Sequence, residues 1–391
     1  MRGLPDGPEH RDRAVSAVVG FILIFGILVI TLSVYQAQVV PQQNSEVEFE
    51  QHQDIQQQMV QLRSNIVSMQ GSASTLSSTV DLGVRYPSRT IFVNPGPASG
   101  SLRTEGASNP DVNVTLRNVE ATGSDETADF WNGSKLNYST SIIEYKPDYH
   151  QYQGGLPVVY EHSLVYNRVE NGDSVPITDQ SLINGNRINL IALNGTLAEN
   201  GVGAESIDLE PISTRTRVVE VNNKSGPITL EFPSLLNADF WNETLGDQKY
   251  VKNVKFNRSL PGDFSILNLT LKPNRDYELK LSKVGLGTGA TNTTAEYLTK
   301  VEGEGATVLN GSNQTLTVEA RDRFNGPQSG VRVNASAEGG DLSTSNKTTN
   351  SEGQATFTYK PNSLGDKDMV RGVVPFIKGW RADDANAATG S

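Results

Sequence analysis

The sequence contains no cysteine, four histidines, four methionines and three tryptophans in 391 residues. Without cysteine there is no disulfide, no thiolate metal ligand and no thiol nucleophile. Small exported domains commonly rely on disulfides, so an outside location must be argued from other features. His10, His52, His150 and His162 form no His-Glu-x-x-His arrangement and no i, i+4 pair, and the acidic tracts lack the spacing of a calcium loop. His150, within Tyr149-His150-Gln151-Tyr152, and His162, after Glu161, stand either for a binding pair or for cross-strand packing. No nucleophile elbow or phosphate loop occurs. Gly285, Gly287 and Ala290 have the spacing of a dinucleotide-binding turn, but no helix opens after them and no βαβ unit surrounds them. The sequence therefore points to no catalytic machinery, cofactor or resident metal.

Positive charge is also scarce. Lys and Arg total 33 against 44 Asp and Glu, a formal net charge of −11, and no basic stripe is present. Such a surface repels phosphate backbones, so nucleic acid is not an expected partner. Glycine (36) and proline (18) are plentiful, as suits many short strands joined by turns.

Against these absences stands one long apolar run. From Ala14 to Tyr35 the chain carries no charge over 22 residues, roughly 33 Å as a helix and enough to cross a bilayer core. The run exceeds the usual 7–15-residue core of a removable signal, and Tyr35-Gln36-Ala37 is a poor cleavage site. Arg2, Arg11 and Arg13 precede it, and no Lys or Arg follows until Arg63. The positive-inside rule then places residues 1–14 in the cytoplasm, a transmembrane helix over 15–36, and the bulk outside the cell.

The rest of the chain agrees with export. Asn-x-Ser/Thr sequons begin at Asn113, Asn132, Asn137, Asn194, Asn223, Asn242, Asn257, Asn268, Asn292, Asn310, Asn313, Asn334 and Asn346, 13 in all, where composition gives about 5 by chance for this motif. These are N-glycosylation candidates; the competing reading is that Asn-Gly-Ser and Asn-Lys-Ser are ordinary turn sequences.

Asp12-Arg13-Ala14-Val15-Ser16-Ala17-Val18-Val19-Gly20, running straight into the apolar helix, resembles the start of archaeal type IV pilins, especially those of halophilic archaea. That family carries a short charged leader, then Val-Ser-Pro-Val-Ile/Val-Gly; a prepilin-type peptidase cuts ahead of the helix, which stays on the mature protein. The resemblance implies cleavage of this class III signal near Ala14 and Val15. Ala17 stands where the family often has proline.

Pro41 is expected to kink or interrupt the first helix. A second, amphipathic helix is expected over 37–80. Along it Ile55, Met59, Leu62, Ile66, Met69, Ala73, Leu76 and Val80 alternate at spacings of four and three, a heptad seam. That face either lies on the chain's own β domain or packs against sister subunits.

Residues 81–284 read as a β-rich extracellular module. Residues 84–104 alternate weakly around Pro95-Gly96-Pro97, Val112, Val114 and Leu116 alternate with polar residues, and strands are expected near 140–146, 157–169, 187–193, 215–221, 227–232, 249–256, 264–272 and 276–284. Thr-Ala-Asp-Phe-Trp-Asn-Gly-Ser at 127–134 echoes Asn-Ala-Asp-Phe-Trp-Asn-Glu-Thr at 237–244, and both read as aromatic core plugs, with an aromatic ligand clamp as the competing reading. Residues 285–295 look like a Gly/Thr-rich linker.

Over 296–380, alternation at Leu316, Val318, Ala320, at Val331, Val333, Ala335, Ala337 and at Ala355, Phe357, Tyr359 marks strands with one buried face. The strings Arg321-Asp322-Arg323-Phe324-Asn325-Gly326-Pro327-Gln328-Ser329-Gly330-Val331 and Asn350-Ser351-Glu352-Gly353-Gln354-Ala355 resemble the bacterial immunoglobulin-like domains of invasin- and intimin-type surface proteins. That resemblance implies an Ig-like β-sandwich acting as spacer or adhesive module. Residues 381–391 form a small polar tail.

The sequence thus outlines a transmembrane α-helix, an amphipathic helix and a mainly β exterior ending in a sandwich. The expected function is a membrane-anchored, glycosylated, pilin-like structural protein of the cell surface. Its expected partners are the membrane, sister subunits or other pilin-like proteins through the helix, and a surface ligand. A non-polymerising adhesin and an anchored extracellular hydrolase are the alternatives.

Overall fold

A computed structural model describes residues 9–123, 125–170, 173–223, 225–303, 306–308, 312–337, 340–362 and 372–373. The tail 381–391, Asn310 and most of the leader lie outside the described residues. A long N-terminal helix is followed by a mostly β body.

The helix comprises α1 (Glu9–Val34), a π-helical turn (Tyr35–Val39) and α2 (Val40–Ser68), with no break between them. The interruption expected at Pro41 is absent, and the π turn explains why. Proline has no N–H to give, and its ring collides with the carbonyl four residues back. Just ahead of Pro41 the helix widens, and Val40 N–H bonds to the Tyr35 carbonyl, five residues back. Pro41 therefore falls in the first turn of α2, where a missing donor costs little.

α2 lies on its own β body. Ile55, Met59, Leu62, Ile66 and Met69 are each 0% exposed and pack with Leu102, Tyr145, Tyr160, Ile207 and Leu209. Burial contributes about 1.5–3 kcal/mol per side chain of this size, before entropy is counted.

The helix ends at Ser68 rather than at residue 80. Gly71, at φ 101°, turns the chain, and Leu76–Asp81 is a strand paired antiparallel with Ala204–Ser213. Of the expected seam, Ala73 is exposed, while Leu76 (half-buried) and Val80 (buried) reach the same core from that strand. A spacing of four keeps two residues on one face of either a helix or a strand, so the seam ran on through a change of structure.

Three sheets form the body. One runs Leu76–Asp81, Ala204–Ser213, Tyr277–Leu286, Arg187–Asn194, Ile183–Asn184, and Val219–Asn223 joins it to Val119–Ala121. Another runs Ala198–Gly201, Ser99–Glu105, Ile142–Asp148, Val158–Glu161, Leu164–Asn167, Val175–Pro176. A third runs Val251–Ser259, Ser265–Leu271, Thr229–Ser234, Asn113–Arg117, Leu136–Ser139. Arg187–Asn194 pairs parallel with Tyr277–Leu286, whereas the neighbouring pairs are antiparallel.

The repeated Phe-Trp strings form two short helices, α3 (Asp125–Phe130) and α4 (Ala238–Thr244). Trp131 and Trp241 are both fully buried in the largest apolar core. Each indole finds an acceptor there: Trp131 Nε1 donates to Tyr297 Oη at 3.3 Å and Trp241 Nε1 to Ser234 Oγ at 2.9 Å.

Residues 285–295 are not a free linker. Residues 285 and 286 end the Tyr277–Leu286 strand, and Thr288 and Thr196 exchange backbone hydrogen bonds at 2.7 and 3.0 Å. Gly287, at φ 64°, brings its backbone so near Thr196 that a Cβ would stand 2.2 Å from the Thr196 carbonyl oxygen. Glycine is required here by close approach, not by flexibility.

Beyond it, Tyr297–Glu302, Gln314–Arg321, Gln354–Pro361 and Gly340–Leu342 form an antiparallel sheet, with a two-stranded ribbon of Arg332–Asn334 and Asn346–Thr348. Leu316, Val333, Ala355 and Phe357 make its core. The Asp322–Gly326 turn fastens this module to the body. Asp322 accepts the amides of Phe324 and Gly326, each at 2.9 Å. Asn325, at φ 65°, donates to the Arg217 carbonyl, and Phe324 and Tyr297 join the body's core.

Candidate functional site

The unusual surface of this protein is the exposed half of its helix. Phe21 (70%), Ile24 (68%), Ile27 (65%) and Ile30 (65%) lie open, and the apolar stretch of the Ser16–Ser68 helix is 0% buried. This single N-terminal helix is long and apolar enough to span a membrane. Ala14 and Val15 fall inside α1, so the expected cleavage point lies within continuous helix.

A finger of chain meets the helix where the apolar run ends. Asn94 Nδ2 donates to the Pro87 carbonyl at 2.7 Å and Arg89 Nε to Asn94 Oδ1 at 2.9 Å, closing residues 87–94. Arg89 also reaches Gln43 and Asn44 on α2. At the far end Phe92 stacks on Tyr35 with ring centroids 4.4 Å apart. Gln36 clasps the Val93 backbone, its Nε2 donating to the carbonyl at 2.9 Å and its Oε1 accepting the amide at 3.0 Å. Of the short strands expected over 84–104, Ser99–Glu105 forms, while residues 84–98 carry only the Val84–Ala98 bridge. The sequence signal for a finger was Ile91-Phe92-Val93 bracketed by prolines at 87 and 95.

Glu48 holds the next level of the helix. Buried in α2, it accepts the Tyr86 hydroxyl, the His150 and Gln151 amides at 2.8 Å each, and the Tyr152 amide at 2.5 Å. Burial pushes its carboxyl up, but these four donors outweigh burial and hold it below the ordinary range.

His150 and His162 lie in different surroundings. His52 packs against Tyr149 and Tyr152. His150 lies on an exposed loop and offers its backbone to Glu48. His162 is enclosed by Phe232 and Trp241, with Nε2 at 2.6 Å from the Pro233 carbonyl, and burial lowers its pKa to about 4. Its neighbour Glu161 is fully buried and pushed up by burial, against donors from Ser234, Leu235 and Tyr166. Among the described residues no three His, Asp or Glu groups stand ready to hold a metal. An acidic cleft of about 870 Å3, with Asp173, Asp179, Asp239, Glu243 and Asp247 in its walls, opens beside α4.

The twelve described sequon asparagines are all exposed or half-exposed. They differ in freedom. Asn242 Nδ2 donates to the Ala238 and Val254 carbonyls at 2.8 and 2.7 Å. Asn257, Asn292, Asn313, Asn334 and Asn346 are exposed.

Residues 13–88, from the start of the apolar run through the strand after α2, match a family of unknown function (DUF7289). An uncharacterized protein of Archaeoglobus fulgidus is 24% identical over 381 residues, covering 92% of this chain and 60% of its own length. A second uncharacterized protein of that organism is 32% identical over 120 residues, covering 30% of this chain and 46% of its own. The chain thus spans 60% or less of the length of these relatives. No solved structure matches.

Proposed function

We propose that this chain is a membrane-anchored surface protein of pilin-like plan, whose helix holds and assembles it while the β body is displayed outside. One observation carries the reading: a single unbroken helix divides into an exposed apolar half and a half buried on the protein's own body. The exposed half needs lipid or sister helices to cover it. The buried half fixes the body rigidly to whatever the first half enters. The order of charges around the run favours an N-terminus inside, and the exposed sequons suit a glycosylated exterior. α2 already uses its seam internally, so contact with sister subunits falls to α1.

N-terminal sequencing of the membrane-extracted protein, followed by fractionation of sheared surface filaments, tests this reading. A mature start near Val15 and recovery in filaments are expected. An intact Met1 with no filament material leaves only the anchor. Recovery in the soluble fraction without lipid or detergent overturns the proposal.

A further inference from the structure

We infer that the finger at residues 87–94 is a second membrane contact, its tip lying in the interfacial layer of the outer leaflet beside the helix exit. This inference rests on the reading that α1 crosses a bilayer.

The finger runs antiparallel to the helix. Arg89 lies level with Gln43 and Asn44, and Phe92 and Val93 lie level with Tyr35 and Gln36. Eight helical positions separate Gln36 from Asn44, about 12 Å along the axis. The tip is therefore the part of the finger that reaches farthest towards α1, and it stops where the apolar run gives way to Gln36 and Gln38. That level is where a spanning helix leaves the hydrocarbon.

The tip carries the wrong residues for water. Ile91 is 72% and Val93 75% exposed, more than any other large apolar side chain described. They are not loose: the Gln36 clasp and the Tyr35–Phe92 stack hold the tip against the helix. A held, solvent-facing apolar tip is unfavourable in water and favourable about 5–10 Å into a headgroup layer. Tyr35 and Phe92 form an aromatic pair at the same level, as membrane-interface belts do. The occupant is a lipid surface rather than a soluble ligand, because the patch continues the exposed apolar face of α1 from Val34 onward. Two contacts fix what one helix leaves free, the rotation and tilt of the body over the membrane.

The absence of cysteine makes the test direct. Single variants Ile91→Cys, Val93→Cys, Ile24→Cys and Val175→Cys of the full chain are labelled with an environment-sensitive fluorophore and reconstituted into phosphatidylcholine vesicles with or without nitroxide-labelled lipid. The Ile24 label reports insertion, and Val175, 53% exposed on the body, reports water. The inference expects labels at 91 and 93 to shift to shorter wavelength and lose most of their emission to the nitroxide lipid, as at 24 and unlike 175. Quenching at 24 with none at 91 or 93 overturns this inference and leaves the anchor intact. No quenching at 24 overturns the anchor itself. A shift at 91 and 93 that vanishes on dilution into excess lipid, without nitroxide quenching, means a second copy covers the finger and also overturns it.

Discussion

Tyr86 donates its hydroxyl to the carboxylate of Glu48, 38 residues earlier on the buried side of α2. The same carboxylate gathers three consecutive amides, from His150 to Tyr152. One side chain thus ties helix, finger base and a sheet loop together.

Glu48→Gln is therefore expected to cost about 1–3 kcal/mol, since a neutral amide replaces the charge-assisted acceptor and brings its own donors. Amide exchange at 150–152 should rise well above that at the Ile142–Asp148 strand. The folded-state carboxyl is depressed, so its contribution is present above the ordinary Glu range and is lost as pH falls through the lowered value. Unchanged exchange at 150–152 would refute this role.

His162 gives a separate pH signature. Its folded pKa of about 4 lies below the model-peptide value of 6.5, so between those values the unfolded chain binds the extra proton. Stability should fall as pH drops through that window, with a slope of up to about 1.4 kcal/mol per pH unit. Glu161, raised by burial, titrates in the opposite sense, so the comparison must be with His162→Gln rather than the absolute curve. Melting curves of the two proteins should converge towards pH 4; parallel curves would discount His162.

Close backbone approach at Gly287 predicts a steep cost for any side chain. Gly287→Ala meets the Thr196 carbonyl and occupies a left-handed φ, and a loss of about 1–3 kcal/mol is expected. Gly289, also at positive φ but with open space around it, should cost less when changed to Ala. Thermal melts of the two variants decide between close packing and a flexible linker.

Glycan occupancy should follow amide freedom. Asn242, whose side-chain nitrogen serves two carbonyls, should stay unmodified, whereas exposed Asn257, Asn334 and Asn346 are available. Asn242→Gln should destabilise by about 1–3 kcal/mol and Asn334→Gln by less than about 0.5 kcal/mol. Glycopeptide mass spectrometry reads the first point; a glycan on Asn242 in folded protein would contradict it.

The helices and strand faces were legible because a period of 3.6 or 2 marks which side chains meet a core. Ile55 to Met69 and Val112, Val114, Leu116 all lie on buried faces. The parallel partnership of Arg187–Asn194 with Tyr277–Leu286 was not, since no local pattern encodes a partner so distant in the chain. Nor was the role of Glu48: a carboxylate in a Gln-rich helix looks like solvated surface until the loop that donates to it is in place. The Gly/Thr-rich 285–295 string looks like a linker in sequence because composition alone cannot distinguish a glycine needed for reach from one needed for closeness.

The π turn at Tyr35–Val39 sets a phase. It lets the rod above and below Pro41 be one piece while choosing which side of α1 faces the same way as the buried seam of α2. Each residue added to or removed from a helix turns everything beyond it by about 100°. Deleting Ala37 would relax the wide turn to an ordinary one and swing the apolar half around like a key turned in its lock. The finger, still held by Arg89 to Gln43 and Asn44, would lose its clasp from Gln36 and face a different stripe of α1. In this protein the orientation of the β body relative to the apolar half is written in a single surplus residue.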